Sequence, residues 1–407
     1  MKKILIIFFI TSSHLLGGGA GAIFLLISPS PLVNGIGGSG VSFISNDVYS
    51  SFFNPAHSKL PNGLSYQSSK ISTEWLPNLA DDLIFENEVK RISYNKYPLP
   101  NSNWLEFSIT KLETNLNLGE QIQTDANGNE LGNFNSYMSC NAITYSVGVQ
   151  SRIYPISFSI GRTDKTAIQN LGPVAVEESN TAYSKDKFYD WGFRFSANNY
   201  PLLDNKIGLT FGLGYSKSNI GDFIWFQDES QADPAPMTAR LGMTWGGKIK
   251  LIDELGLEIK LTHEGQDLLV ETIDNERVYQ KSLLGDLNIS DHILSSDAEE
   301  GITIHRGMEI NFFDIYFSRK GKLIDIDGKM NINTRGNSIS YTNLMKLFLK
   351  TININNSYLN NFTKYISYQK SFSSQNEDQG HPRDNIKYRE HTLTLKNVDE
   401  LVSQILK

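Results

Sequence analysis

From about Leu64 onward the chain alternates apolar and polar residues with a period of two. The clearest run is Phe188 to Asn198, where Tyr189, Trp191, Phe193 and Phe195 share one face and Asp190, Gly192, Arg194 and Ser196 share the other. Helical spacing cannot separate the two sets in this way, so the run predicts a β-strand. The same division recurs at Leu105–Thr110, Ile143–Gln150, Ile156–Gly161, Ile207–Ser216, Met237–Gly246 and Leu255–Thr262. Weaker runs follow at Met308–Phe317, Met330–Asn333, Phe362–Ser371 and Lys387–Lys396. Polar, turn-rich connectors separate them, notably Thr124–Asn135, Asp228–Pro236, Asp286–Gly301 and Ser373–Asn385. After the last strand, Val398, Leu401, Val402, Ile405 and Leu406 repeat at helical spacing, with Asn397 and Glu400 placed as an N-cap and its reciprocal partner.

A soluble β-sandwich and a membrane barrel both produce such alternation. Three features favour the barrel. Many strands run nine to eleven residues, the length a tilted membrane-spanning strand needs. Their polar faces mix glycine and serine with opposite charges, Glu258 with Lys260 and Arg194 with Asp190, as a wet lumen permits. The chain also begins as an exported protein does, yet its one cysteine, Cys140, cannot form an intrachain disulfide. In a bilayer every backbone group must be paired, so a sheet there closes on itself. The expectation is therefore all-β: a transmembrane antiparallel β-barrel in a bacterial outer membrane, in contact with its lipid.

The export signal is read from Lys2 and Lys3, the apolar run Ile4–Ile10 and the small residues ending at Ala20-Gly21-Ala22. It spans residues 1–22, with cleavage placed between 13 and 22. Between this leader and the strands lies Gly35 to Ala56, GIGGSGVSFISNDVYSSFFNPA. Its Gly35, Gly37 and Gly40 spell G-x-G-x-x-G. A dinucleotide site would need a preceding strand, a following helix and a later acidic residue. Here Pro29 and Pro31 precede the glycines, VSFIS follows, and Asn54-Pro55-Ala56 occupies the acidic position. The glycines read as backbone turns instead.

The formal net charge of −7 and pI near 5.6 argue against a nucleic-acid partner, which requires a basic face. The seven histidines have no paired ligand spacing, and no nucleophile, base and acid can be grouped. His263-Glu264 reads as a polar pair of a loop or lumen, and Cys140 as a small apolar filler. No catalytic residue, metal or cofactor is expected, and the chain is not read as an enzyme.

Two stretches carry a resemblance. The first is Phe24-Leu25-Leu26-Ile27, then Gly35-Ile36-Gly37-Gly38, Asn46-Asp47 and Asn54-Pro55-Ala56. The second is Gly307-Met308-Glu309-Ile310-Asn311-Phe312 through Asp314-Ile315 to Arg319-Lys320-Gly321, with His391-Thr392-Leu393-Thr394-Leu395 as the final strand. Together they resemble the PorV/PorQ family of outer-membrane proteins, relatives of the FadL-type channels. The resemblance implies about 14 strands over residues 61–396, a luminal plug or hatch over 23–60 and a tail over 397–407. It assigns the plug corners to Gly35, Gly37, Gly38, Gly40, Asn54, Pro55 and Ala56. It implies a role in type IX secretion, binding exported cargo proteins or other secretion components. The alternative is passive transport of hydrophobic small molecules, with Phe24, Leu25, Leu26, Phe52 and Phe53 lining a greasy site or packing the plug. A third reading is a soluble secreted β-sandwich that binds a ligand. The chain departs from common outer-membrane barrels in continuing past its last strand to Lys407.

Overall fold

The computed structural model describes residues 20–57, 59–80, 82–99, 103–124, 127–173, 181–202, 206–226, 231–252, 255–274, 276–352, 356–377 and 381–405. The export signal up to residue 19 lies outside the described residues. The wall is built from β1 (Gly63–Glu74), β2 (Ile84–Leu99), β3 (Asn103–Thr124), β4 (Glu130–Ser151), β5 (Ile156–Pro173), β6 (Thr181–Leu202) and β7 (Ile207–Gly221). It continues through β8 (Thr238–Ile252) and β9 (Leu255–Leu268), then, past the small hairpin β10 (Val270–Ile273) and β11 (Glu276–Tyr279), through β12 (Ile302–Phe312), β13 (Tyr316–Asp325), β14 (Met330–Ser340), β15 (Ile366–Asn376) and β16 (Ile386–Leu395). Leaving out the hairpin, these strands form a closed antiparallel barrel of fourteen, each next to its sequence neighbour, with β16 returning to β1. Because a period of two sends alternate side chains to opposite faces, each strand gives one set to the bore and one to the outside.

The exterior confirms the inside-out pattern over most of the wall. Ile109, Tyr145, Val147, Phe158, Ile160, Leu209 and Ile259 are large, apolar and exposed, while Ser108, Thr144, Ser146, Ser159 and Thr210 behind them are buried. A soluble sandwich would bury the first set, so the barrel is membrane-embedded. One flank departs. On β13 to β16 and β1 the outward residues include Lys320, Arg335, Lys370, Lys387, Arg389 and Lys70, all exposed. A lysine or arginine facing acyl chains at the bilayer midplane costs about 2–4 kcal/mol.

Most connections at one end, the turn end, are short. The other end, the loop end, carries the 222–237 and 269–301 segments. Several expectations change here. Thr124–Asn135 is not a long connector. β3 runs to Thr124 and β4 starts at Glu130, and here both strands are exposed on both faces, which erases the alternation that would have marked them. Met308–Phe317 is not one strand: Phe313 and Asp314 take left-handed φ of 62° and 56° and turn β12 into β13. Phe362 belongs to a helix, since the β14–β15 connection at the turn end holds α2 (Tyr341–Thr351) and α3 (Ser357–Tyr365) after α1 (Pro31–Asn34) of the N-terminal segment. Ser340 caps α2, its hydroxyl accepting from the Asn343 amide at 3.3 Å. The tail forms α4 (Val398–Ile405). The 269–301 segment folds down over the wall, packing Leu269, Leu287 and Ile293 on Tyr215, Leu241 and Ile304.

Candidate functional site

Residues 35–57, continued by 59 and 60, line the bore as a belt. Gly35 lies on β14, where a Cβ added to Gly336 would sit 3.0 Å from its Cα. Ile36 and Gly37 pass over Gly307 of β12 and Gly321 of β13, two glycines paired across the strands. Ser39 meets Thr262 of β9 at 2.8 Å, and the Val41 amide donates to Glu264 of β9 at 2.8 Å. Ser42 bonds Thr244 of β8 at 2.9 Å, and its carbonyl would lie 2.6 Å from a Cβ on Gly212 of β7. Asn54 sits over Gly192 of β6, and Pro55 over Gly161 of β5. His57 reaches Ser146 of β4 and Glu106 of β3, and the Leu60 carbonyl accepts from Asn95 of β2 at 3.3 Å. The belt thus meets most of the wall in descending strand order and hands over directly to β1.

This approach needs wall residues without side chains. A Cβ at Gly161, Gly192, Gly214, Gly307 or Gly321 would overlap belt atoms, mostly backbone. The belt's own glycines split by role. Gly37 and Gly38 take φ of 74° and 82°, a turn that L-residues resist. Gly40 has no such φ, but a Cβ there would lie 2.5 Å from the Phe53 ring.

Buried cations then bind the belt's carbonyls. Arg194 donates from Nε and Nη2 to the Val41 carbonyl at 3.1 and 2.8 Å, from Nη2 to Gly40 at 3.1 Å and from Nη1 to Ala56 at 2.9 Å. It therefore closes the two ends of the 41–56 excursion. Asp190, the opposite charge on the same polar face, pairs with Lys165 at 2.7 Å. Asn54 reinforces the closure: its Nδ2 donates to Val41 and Phe193 carbonyls at 2.9 and 3.0 Å, and its Oδ1 accepts from the Ala56 amide at 2.9 Å. Lys260 donates to the Ile44 carbonyl at 3.1 Å and lies 3.5 Å from Glu258, and Arg91 donates to the Asp47 carbonyl at 3.2 Å. Asp47 accepts from the Ser30 hydroxyl at 2.6 Å and the Tyr49 amide at 3.0 Å. Burial raises its carboxyl above the ordinary range, opposed by those two bonds and by Arg91. Burial also holds the His57 imidazole below its ordinary value, although Glu106 at 3.1 Å works the other way.

The second stretch singled out in the sequence supplies the floor of this arrangement. Gly307 pairs with Gly321 and Glu309 with Arg319 across β12 and β13. The glycines seat Ile36 and Gly37, and Glu309 accepts from Arg319 at 2.7 Å beside Lys260. The two separated sequence stretches meet in space.

Apolar residues of the belt fall into two groups. Phe53 packs centrally with Leu32, Val33, Ile36 and Phe43. Phe24 and Leu25 lie toward the loop end with Tyr49, Ile71, Phe85, Leu112, Leu116 and Phe188. Phe52 touches both groups and meets Phe53 edge-on at 5.1 Å. Leu26 is half-buried beside them. The five residues grouped in the sequence as one greasy site are therefore divided between two levels. Cys140 is buried in the loop-end group. His263 and Glu264 part company. Glu264 faces the belt, while His263 meets Trp245 edge-on and the Ile293 carbonyl outside the wall. The sequence did not single out Arg91, His305, whose Nδ1 meets the Gly37 carbonyl at 2.7 Å, or the wall glycines. Their signal was their place on the polar face of alternating strands.

No family model and no curated protein matches the chain. Among solved structures it is similar to the toluene transporter TodX of Pseudomonas putida, at 10% identity and a TM-score of 0.41 over 89% of this chain and 96% of that one. It is similar to a FadL homologue of Pseudomonas aeruginosa, at 10% and 0.37 over 93% and 99%. The β-domain of the Bordetella autotransporter BrkA matches at 7% and 0.37 over 82% and 98%. The likeness extends to the barrel fold and no further.

Outside the wall at the Asn54-Pro55-Ala56 corner lies an apolar groove of about 870 Å³. Phe107, Ile109, Tyr145, Phe158, Ile160 and Trp191 line it, with Gly161 and Gly192 at its base. The corner and the groove lie on opposite faces of the same wall, one sheet apart.

Proposed function

We propose that this protein is an outer-membrane barrel of the PorV/PorQ kind, working as a docking component in type IX secretion with its loop end facing out of the cell. The observation that supports docking over conduction is the belt's attachment. Its backbone touches strand after strand, over glycines that admit no side chain and under Arg194, which ties together the ends of its 41–56 excursion. A hatch that swings aside would have to break these bonds together, leaving buried carbonyls and a guanidinium without partners. The cargo contacts then fall to the loop end, including the 222–237 segment.

A second reading is passive transport of a hydrophobic compound. It is favoured by the apolar group around Phe24 and Phe85 and by the exterior groove beside the Asn54 corner. Deletion of the gene separates the two. Loss of surface-delivered proteins with normal uptake of hydrophobic compounds is the expected result; normal delivery with impaired uptake contradicts the docking role.

A further inference from the structure

By strand count the basic flank lies level with the apolar exterior of the other strands. Four residues in from the turn end of their strands, Val147, Ile160, Phe211 and Ile259 face outward on β4, β5, β7 and β9. At the same count β13, β15 and β16 present Lys320, Lys370 and His391. Lys370 and Lys70 are both registered against His391, so three basic side chains stand abreast over β15, β16 and β1. At about 2.6 Å of height per residue in a tilted strand this row is roughly 10 Å above the turn end, inside an apolar band about 25 Å tall. Arg335 and Arg389 continue the stripe upward.

On β2 and β3 the outward lysines have partners, Lys90 with Glu88 at 2.5 Å and Lys111 with Glu113 at 2.5 Å. Lys70 stands across from Glu88 of β2, a carboxylate already bonded to Lys90, and among the described residues no ion pair reaches Lys320, Lys370 or Arg389. The β1–β16 ladder is also the shortest in the wall: it pairs Tyr66–Lys70 with Leu395–His391 and ends at the basic row.

We propose that this flank is buried against the side of another integral membrane protein, one that presents carboxylates to the stripe. The occupant is not a second copy meeting the same face, because two all-basic stripes repel. It is not outer-leaflet lipid phosphate, because the row at Lys70, His391 and Lys370 sits in the half of the bilayer nearer the turn end. Outward cations that hydrocarbon would reject are matched there by fixed acids in a low-dielectric contact. The inference rests on the membrane-barrel reading and names the lateral partner surface that a docking component needs.

The test is site-specific photo-crosslinking of the full chain in native outer membranes. A photoreactive phenylalanine analogue replaces Lys70, Lys370 or Lys320, and, as controls on the opposite flank, Ile160 or Phe211. The expected result is one discrete adduct at the flank positions alone. Its cross-linked peptide should come from a membrane-embedded protein and carry acidic residues. With the analogue at Lys320, the added substitutions Lys70→Glu and Lys370→Glu should lower the adduct at least tenfold. Lys70→Gln with Lys370→Gln should lower it less. In each variant, heat-modifiable migration reports an assembled barrel. Adducts only to lipid or lipopolysaccharide, a homodimer through the same face, equal adducts on both flanks, or an adduct indifferent to charge reversal would each overturn the inference while leaving the barrel intact. A chain absent from the membrane fraction would overturn the barrel reading as well.

Discussion

Two levels of one bore are built on opposite principles. At mid-height the wall offers glycine, serine, threonine and buried charge, and the belt lies against it by backbone contact and hydrogen bonds, as at Gly214, Thr262 and Arg194. Toward the loop end the wall offers Phe85, Val89, Leu112 and Phe188, and the chain answers with Phe24, Leu25 and Tyr49. Directional bonds to specific carbonyls specify one position. Apolar packing has no direction and tolerates rearrangement of similar volume. The mid-height level is therefore the fixed one, and the loop-end level is the part able to repack.

The strongest way to break this contrast is to give the wall a side chain. Gly214→Val places methyls where the Val41 carbonyl lies and is expected to abolish the heat-modifiable barrel or expel the belt. Gly247→Ala, with only the Gly208 carbonyl nearby at 3.8 Å, should assemble normally. Comparing unboiled gel mobility of the two variants decides it. Next, Arg194→Met removes the donors to Gly40, Val41 and Ala56 and should lower stability by about 3–6 kcal/mol. Its signature is faster proteolysis within residues 41–57 while the strands stay protected. Phe24→Ala should cost about 3 kcal/mol as a cavity at the loop-end level. In that variant the belt's protection stays unchanged, and a belt that loosened as in Arg194→Met would erase the distinction between levels.

The smallest effect is a pH dependence at His57. Its folded value is depressed by burial, so its contribution is present above the ordinary histidine value near 6.5 and is lost as pH falls below it. Between pH 7.5 and 5, denaturant midpoints should fall more for the wild type than for His57→Gln. Equal slopes would show that His57 does not titrate against the fold.

The fold was legible because alternation states which face is which: Tyr189, Trp191, Phe193 and Phe195 point outward as read. Strand ends were less legible. Gln121, Gln123, Glu130 and Asn133 stand where both faces of the strands are open to solvent and no pattern survives. The helices at 341–351 and 357–365 interrupt the strands, and their helical spacing, Tyr341, Leu344, Met345 and Phe348 in one and Tyr358, Phe362 and Tyr365 in the other, is short enough to be read as part of the strand pattern. At the site, Gly37 and Gly38 announce a turn by their identity, but a wall glycine such as Gly161 looks like any small residue on a polar face. Arg194 and Asp190 lie four residues apart on one polar face and read only as opposite charges of a wet lumen. Only the belt, brought from more than a hundred positions away, gives the arginine its carbonyls.

The claim that the belt is fixed to the wall is tested most directly by hydrogen exchange of the purified, assembled barrel at peptide resolution. The account predicts that amides across residues 35–57 exchange as slowly as those of β5 and β9, and more slowly than those of residues 22–27. Exchange of residues 35–57 within minutes, in a barrel whose strands remain protected, would contradict it.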